Sequence, residues 1–112
     1  MVDISPAALA QVADYFKVVS EVSRLQVLSC LRSGAKNVTE IVEATGLGQA
    51  NVSKHLKLLM QAGMVSRQTK GVQVFYQIAD PVIFDLCEVV CDRLAERLTD
   101  QVQQLEQLKT FK

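Results

Sequence analysis

Three cysteines, Cys30, Cys87 and Cys91, and one histidine, His55, are the side chains of this 112-residue sequence best suited to metal, redox or acid–base chemistry. Cys87 and Cys91 are four residues apart, so on a helix they share one face, about 6 Å apart along the axis. Two thiolates so placed can hold a soft ion such as As(III), Cd(II) or Cu(I), with a third thiol. They can also react with an oxidant, a persulfide or an electrophile. A disulfide within one helical turn is geometrically awkward, so oxidation is expected to bridge to Cys30 or to a second copy of the chain. The opposing reading is packing, because both cysteines border an apolar stripe and free cysteine is often a small buried hydrophobe. For the pair both readings stay open; for Cys30, which follows Val27 on an apolar helix face, packing leads. His55 is the only imidazole, without a neighbouring acid or cysteine, so it makes neither a metal site nor a catalytic dyad. Its place beside Leu56 suits helix packing or a position near a phosphate. No Gly-rich phosphate loop and no nucleophile motif is present, so no enzymatic activity is expected.

A second set of residues suits a polyanion. Net charge is zero over the whole chain, but residues 1–43 carry −1, residues 80–112 carry −3, and residues 44–79 carry +4. Those 36 central residues contain Lys54, Lys57, Arg67 and Lys70 and no acid, in a chain with twelve. An acid-free basic stretch is the electrostatic footprint of a nucleic-acid site. Within it, Gln49, Asn51 and Ser53 supply donors and acceptors beside the lysines.

The elements that must position these residues follow from local signals. Ser5-Pro6 reads as N-cap and N1 of a helix over 5–19, with Leu9, Val12, Ala13, Phe16 and Val19 at helical spacing. Ser20 is expected to cap a second helix with Leu25, Val27, Leu28 and Leu31 inside and Gly34 as its stop. Asn37 and Glu40 form a capping-box pattern opening a short third helix that Gly46 ends. The fourth runs from about Gln49 to Ala62, with Val52, Leu56, Leu59 and Met60 inward and Gly63 as terminator. The period then changes to two: Val72, Val74, Tyr76 and Ile78 mark a strand, Met64 to Gln68 its antiparallel partner, and Thr69-Lys70-Gly71 the turn. Asp80-Pro81 starts a last helix to about Leu108, about 40 Å long. Its side Ile83, Leu86, Val90, Leu94, Leu98, Val102, Leu105 and Leu108 is too long an apolar stripe for so small a domain to cover alone. A second copy of the chain is the simplest cover.

Two short helices around a Gly-containing turn, followed by a hairpin, make a winged helix-turn-helix, mainly α with a small β-hairpin. In that motif the second helix enters the major groove of double-stranded DNA. Gln49, Asn51 and Ser53 then face base edges, and Lys54, Lys57, Arg67 and Lys70 face phosphates or the neighbouring groove. The expected organisation is one DNA-binding domain over 1–112, paired as a homodimer through 5–19 and 81–108. The start MVDIS lacks the basic region of a signal peptide, no apolar run reaches the ~20 residues of a membrane helix, and three cysteines fit reduced thiols. A cytoplasmic location without membrane contact is expected.

The sequence resembles the ArsR/SmtB winged-helix repressors. The matching residues are Arg24-Leu25 with Val27-Leu28, Val38-Thr39-Glu40-Ile41, the run from Leu47 to Leu59, Ala62-Gly63-Met64-Val65 and Val74-Phe75-Tyr76. The likeness covers roughly residues 12–98, with the motifs in order at matching separations. It implies a homodimer joined by the first and last helices that represses transcription and releases DNA when an inducer binds. It also implies base reading at Gln49, Ala50, Ser53 and Lys54, with Ala50 where serine is usual and Lys54 where histidine is usual. The family's common last-helix zinc site falls here on Asp80, Val82, Arg93 and Glu96. Valine cannot ligate and arginine stays cationic, so no zinc site of that kind is expected. Nor does Val38-Thr39-Glu40-Ile41 hold the cysteines of the other common site. Cys87 and Cys91, with Cys30, remain as candidates for a thiol-directed signal. Two alternatives stand beside this reading. One is a metal-independent winged-helix regulator with structural cysteines, the other a thiol-containing module that binds protein instead of DNA.

Overall fold

The computed structural model describes residues 3–111. Met1, Val2 and Lys112, the ends of the expected domain, lie outside the described residues. The elements run α1 (Pro6–Val18), α2 (Val22–Leu31), α3 (Val38–Thr45), α4 (Gln49–Gln61), β1 (Val65–Lys70), β2 (Gln73–Ile78) and α5 (Val82–Thr110). They form two compact units, one ending at Asp80 and one beginning at Pro81.

The core of the first unit joins α2, α3, α4 and the start of the hairpin. Val27, Leu28 and Leu31 of α2 are buried with Ile41 of α3, Val52, Leu56 and Leu59 of α4, and Met64 and Val65. Leu25 and Met60, expected inside, are not: Leu25 is exposed and Met60 only half-buried. A helix of ten residues has a narrow buried stripe, and Val27, Leu28 and Leu31 already fill it.

Side-chain caps open two of the five helices, α1 and α3. Ser5 Oγ accepts from Ala8 N at 3.1 Å, with Pro6 in the first turn of α1. The Asn37 capping box forms in both directions, Glu40 N donating to Asn37 Oδ1 at 2.8 Å and Asn37 N to Glu40 Oε1 at 3.0 Å. Two expected caps are displaced. Ser20 does not cap α2; its hydroxyl donates backward to Lys17 O at 2.8 Å, closing α1, and Glu21 takes the N-cap position. At α5 the N-cap is Pro81, one residue later than expected, and the helix continues two residues beyond Leu108 to Thr110.

The hairpin pairs Val65 with Ile78 through Lys70 with Gln73. The turn is therefore Gly71-Val72, not Thr69-Lys70-Gly71. Gly71 has φ 64, at the first central position, where two-residue hairpin turns of type II′ need glycine. Val72 is thereby moved out of the strand and is fully exposed. A further pairing joins Lys36, between α2 and α3, to Tyr76: Lys36 N donates to Tyr76 O at 2.9 Å and Tyr76 N to Lys36 O at 2.8 Å.

In the second unit, α5 is 29 residues long and buries only Ile83. Leu86, Val90, Leu94, Leu98, Val102, Leu105 and Leu108 are exposed along it. On α1, Leu9, Val12 and Phe16 are likewise exposed, and no residue of that helix is buried. Among the described residues no helix is long and apolar enough to cross a membrane.

Candidate nucleic-acid interface

The α3–α4 turn sets the direction of α4. Gly46 ends α3 at φ 74, where its N–H donates to Val42 O at 2.8 Å. Thr45 ties the same turn: its hydroxyl donates to Ile41 O at 2.7 Å and accepts from Leu47 N at 3.3 Å. α4 then begins after Gly48, with no side-chain cap and no acid in its first turn. Its leading N–H groups lack intrahelical acceptors, so that end carries partial positive charge available to an anion.

Burial divides α4 cleanly. Val52, His55, Leu56 and Leu59 face the core, while Gln49, Ala50, Asn51, Ser53, Lys54 and Lys57 are all exposed. The six residues singled out on this helix thus share its outward side. Arg67 and Lys70 are exposed on β1. Lys70 is the last residue of the strand, at the tip, with its ammonium 5.8 Å above the Phe75 ring. Arg67 lies in mid-strand opposite Tyr76. The hairpin's base is fixed to the end of α4 through Met64, whose N–H donates to Leu59 O at 3.0 Å and whose carbonyl accepts from Ala79 N at 2.9 Å.

His55 takes the packing side of α4, 4% exposed. Burial holds its pKa below the ordinary value; Arg24 and Lys54 push the same way and Glu21 opposes them. Its Nε2 lies 3.8 Å from Glu21 Oε1, and Glu21 Oε2 is 3.0 Å from Arg24 Nη1. Sequence reasoning missed this cluster, although Glu21 and Arg24 sit three apart at a helix start, a spacing that signals an ion pair.

The cysteines differ among themselves. Cys30 is half-buried, its Sγ donates to Val27 O at 3.1 Å, and burial pushes its thiol pKa up despite Lys36 nearby. Lys36 Nζ donates to Cys30 O at 2.8 Å, so this residue belongs to the C-terminal end of α2 and its packing. On α5, Cys87 is half-buried and Cys91 exposed. Among the described residues no three His, Cys, Asp or Glu side chains converge as a metal site within one chain.

A fold of five helices and a hairpin, with a polar, acid-free outward face on α4, has clear counterparts. The description "Bacterial regulatory protein, arsR family" matches residues 21–67. The uncharacterized HTH-type transcriptional regulator Rv0081 of Mycobacterium tuberculosis is 34% identical over 98 residues, covering 87% of this chain and 86% of its own. Its crystal structure superposes with a TM-score of 0.77 at 31% identity, covering 88% of this chain and 99% of that one. The homodimeric winged helix-turn-helix DNA-binding domain of Mb0332 from Mycobacterium bovis gives a TM-score of 0.69 at 34% identity, covering 82% and 91%. The AntR antimony-specific transcriptional repressor gives 0.74 at 28% identity, covering 88% and 90%. The fold, the exposed recognition-helix face and the extent of these matches lead to one assignment: the chain belongs to the arsR family of bacterial regulatory proteins, DNA-binding regulators of transcription and not enzymes.

Proposed function

We propose that this regulator is a homodimeric repressor that reads a two-fold operator with α4 and is released by thiol-directed chemistry on α5. The observation that carries the DNA reading is the outward face of α4: six exposed residues, two lysines among them and no acid. Gln49, Ala50, Asn51 and Ser53 form the base-facing end of that helix. Lys54 and Lys57, with Arg67 and Lys70 of the hairpin, contact phosphates. Dimerisation uses the exposed apolar stripes of α1 and α5, which in water favour burial against a second copy. The Mb0332 domain, of similar fold, is a homodimer.

For the signal, Cys87 and Cys91 are the candidates. They stand one turn apart on α5, one half-buried and one exposed, and both lie along the dimerising stripe. Two thiols fit part of a soft-ion site, so a complete one takes a third thiol from outside the pair. AntR, similar in fold, is an antimony-specific repressor, which favours a trivalent metalloid as the first inducer to try. New bonds at these thiols alter how α5 meets its partner and so the separation of the two recognition helices. An inducer that favours the non-binding arrangement by a few kcal/mol suffices to release DNA.

The test is release of the protein from an operator duplex, followed by fluorescence anisotropy, on addition of trivalent antimony or arsenic, inorganic persulfide, peroxide or zinc. Wild type is expected to let go with one of the thiol-directed reagents and to ignore zinc. The Cys87→Ser/Cys91→Ser double variant is expected to bind DNA normally and not to respond. A double variant that responds like wild type removes this pair from the signal.

A further inference from the structure

α1 and α4 face one another across open space and a polar cluster. α1 buries none of its residues. An open crevice of about 610 Å³ separates its Gln11, Asp14 and Tyr15 from Leu58 and Gln61 on the C-terminal half of α4. Along that length open space lies between the two helices, with Tyr15 and Val18 half-buried at its edge.

Beside Val18, which also lines the crevice, a polar cluster spans α1, α2 and α4. Arg24 is a three-way fork: Nε donates to Val18 O, Nη2 to Lys17 O at 3.3 Å, and Nη1 meets Glu21 Oε2 at 3.0 Å. The two carbonyls belong to the last turn of α1, the negative end of its dipole, where a cation is favoured; Lys17 O also accepts from Ser20 Oγ. Glu21 is the N-cap residue of α2, and its second oxygen faces His55 Nε2 of α4 at 3.8 Å. A planar guanidinium satisfies three directions at once; an ammonium is a point charge and does not reproduce the fork. His55 Nδ1 is buried and has no protein hydrogen-bond partner among the described residues. Leaving a buried nitrogen unsatisfied is costly, and a hydrocarbon side chain avoids that cost if filling space is the only demand.

We infer that Glu21, Arg24 and His55 are positioning residues that fix the recognition helix relative to the end of α1 and so set which half-site spacing the dimer accepts. The inference rests on the dimer-on-DNA reading above. Neither Arg24 nor His55 has the exposure to touch DNA. Their effect passes through α1, one of the two dimerising helices, to the separation and rotation of the paired α4 helices. One base pair of extra spacing turns a half-site by about 35° and moves it by about 3.4 Å, so a small change in the α1–α4 angle is enough to blur the choice.

The experiment uses the full chain and a duplex selected by the wild-type protein from a random-sequence pool, remade with one base pair added to or removed from its centre. Anisotropy gives the affinity for each. Wild type is expected to discriminate against both altered duplexes by about tenfold or more, the cost of about one good base contact. Glu21→Gln and Arg24→Lys are expected to bind all three duplexes within about threefold of one another, while their affinity for a single half-site stays near wild type. Glu21→Gln is isosteric at a half-exposed side chain, so it remains folded even if Arg24→Lys does not, and circular dichroism checks both. If Glu21→Gln keeps wild-type discrimination, the relay is overturned and the dimer reading stands. A wild-type protein indifferent to spacing overturns both.

Discussion

Replacing Leu94 by aspartate puts a charge in the middle of the stripe on α5, and its effect can be worked from exposure. In the isolated chain Leu94 is 50% exposed and Leu98 62%. About half of a leucine's transfer free energy is thus still available at Leu94, about 0.75–1.5 kcal/mol per copy. A two-fold interface contains the site twice, so removing it costs about 1.5–3 kcal/mol per dimer. The aspartate adds the penalty of bringing two carboxylates of like sign into an apolar seam, which makes that figure a lower bound. Each 1.4 kcal/mol is a factor of ten, so the dimer dissociation constant should rise by about tenfold or more. Sedimentation velocity across the micromolar range measures this directly. Leu94→Asp is expected to run as monomer or to aggregate where wild type is dimeric. The reasoning is refuted if the variant dimerises as tightly as wild type, or if wild type itself sediments as a monomer at micromolar concentration.

Lys54→Ala and Arg67→Ala should each weaken binding to every duplex alike and lower the salt slope by about two units, one per subunit, read from affinities at several salt concentrations. Acidification should cost stability through His55. Burial holds its folded pKa below 6.5, so the unfolded chain takes up the proton first, stability is full above pH 6.5, and it declines as pH falls through that value. Urea midpoints at about pH 7.5 and about pH 5.5 should show this slope, and His55→Gln should flatten it. Gly46→Ala should cost about 1 kcal/mol or more in the same assay, because φ 74 strains any residue with a Cβ although nothing crowds the site. Leu56→Ala, fully buried in the core, should cost about 2–5 kcal/mol.

What could be read from the sequence was what acts over three or four residues. The Asn37–Glu40 box and the left-handed Gly46 and Gly63 are local energetics, and each ends or starts a helix where its spacing indicates. The exposed side of α4 was legible because a 3.6-residue period separates Val52, Leu56 and Leu59 from Gln49, Ser53 and Lys57. Local signals failed where two compete. Ser20 is an apt N-cap, but its hydroxyl finds Lys17 O behind it before α2 begins. Val72 fits a strand pattern, yet Gly71 supplies the turn geometry and takes Val72 with it. The Lys36–Tyr76 pairing and the contact from Glu21 to His55 join residues far apart in the chain. Nothing in their immediate neighbours announces them.

The central claim is that α4 reads base sequence, and Gln49→Ala tests it most directly. Affinity is measured by anisotropy for the selected duplex, for the same duplex altered at single positions, and for a random duplex, all at one salt concentration. If Gln49 makes a bidentate base contact, its loss should relax preference at one position per half-site by about 1–3 kcal/mol and leave random-duplex binding unchanged. Equal binding of wild type to selected and random duplexes, or an equal loss on both in Gln49→Ala, would contradict the account.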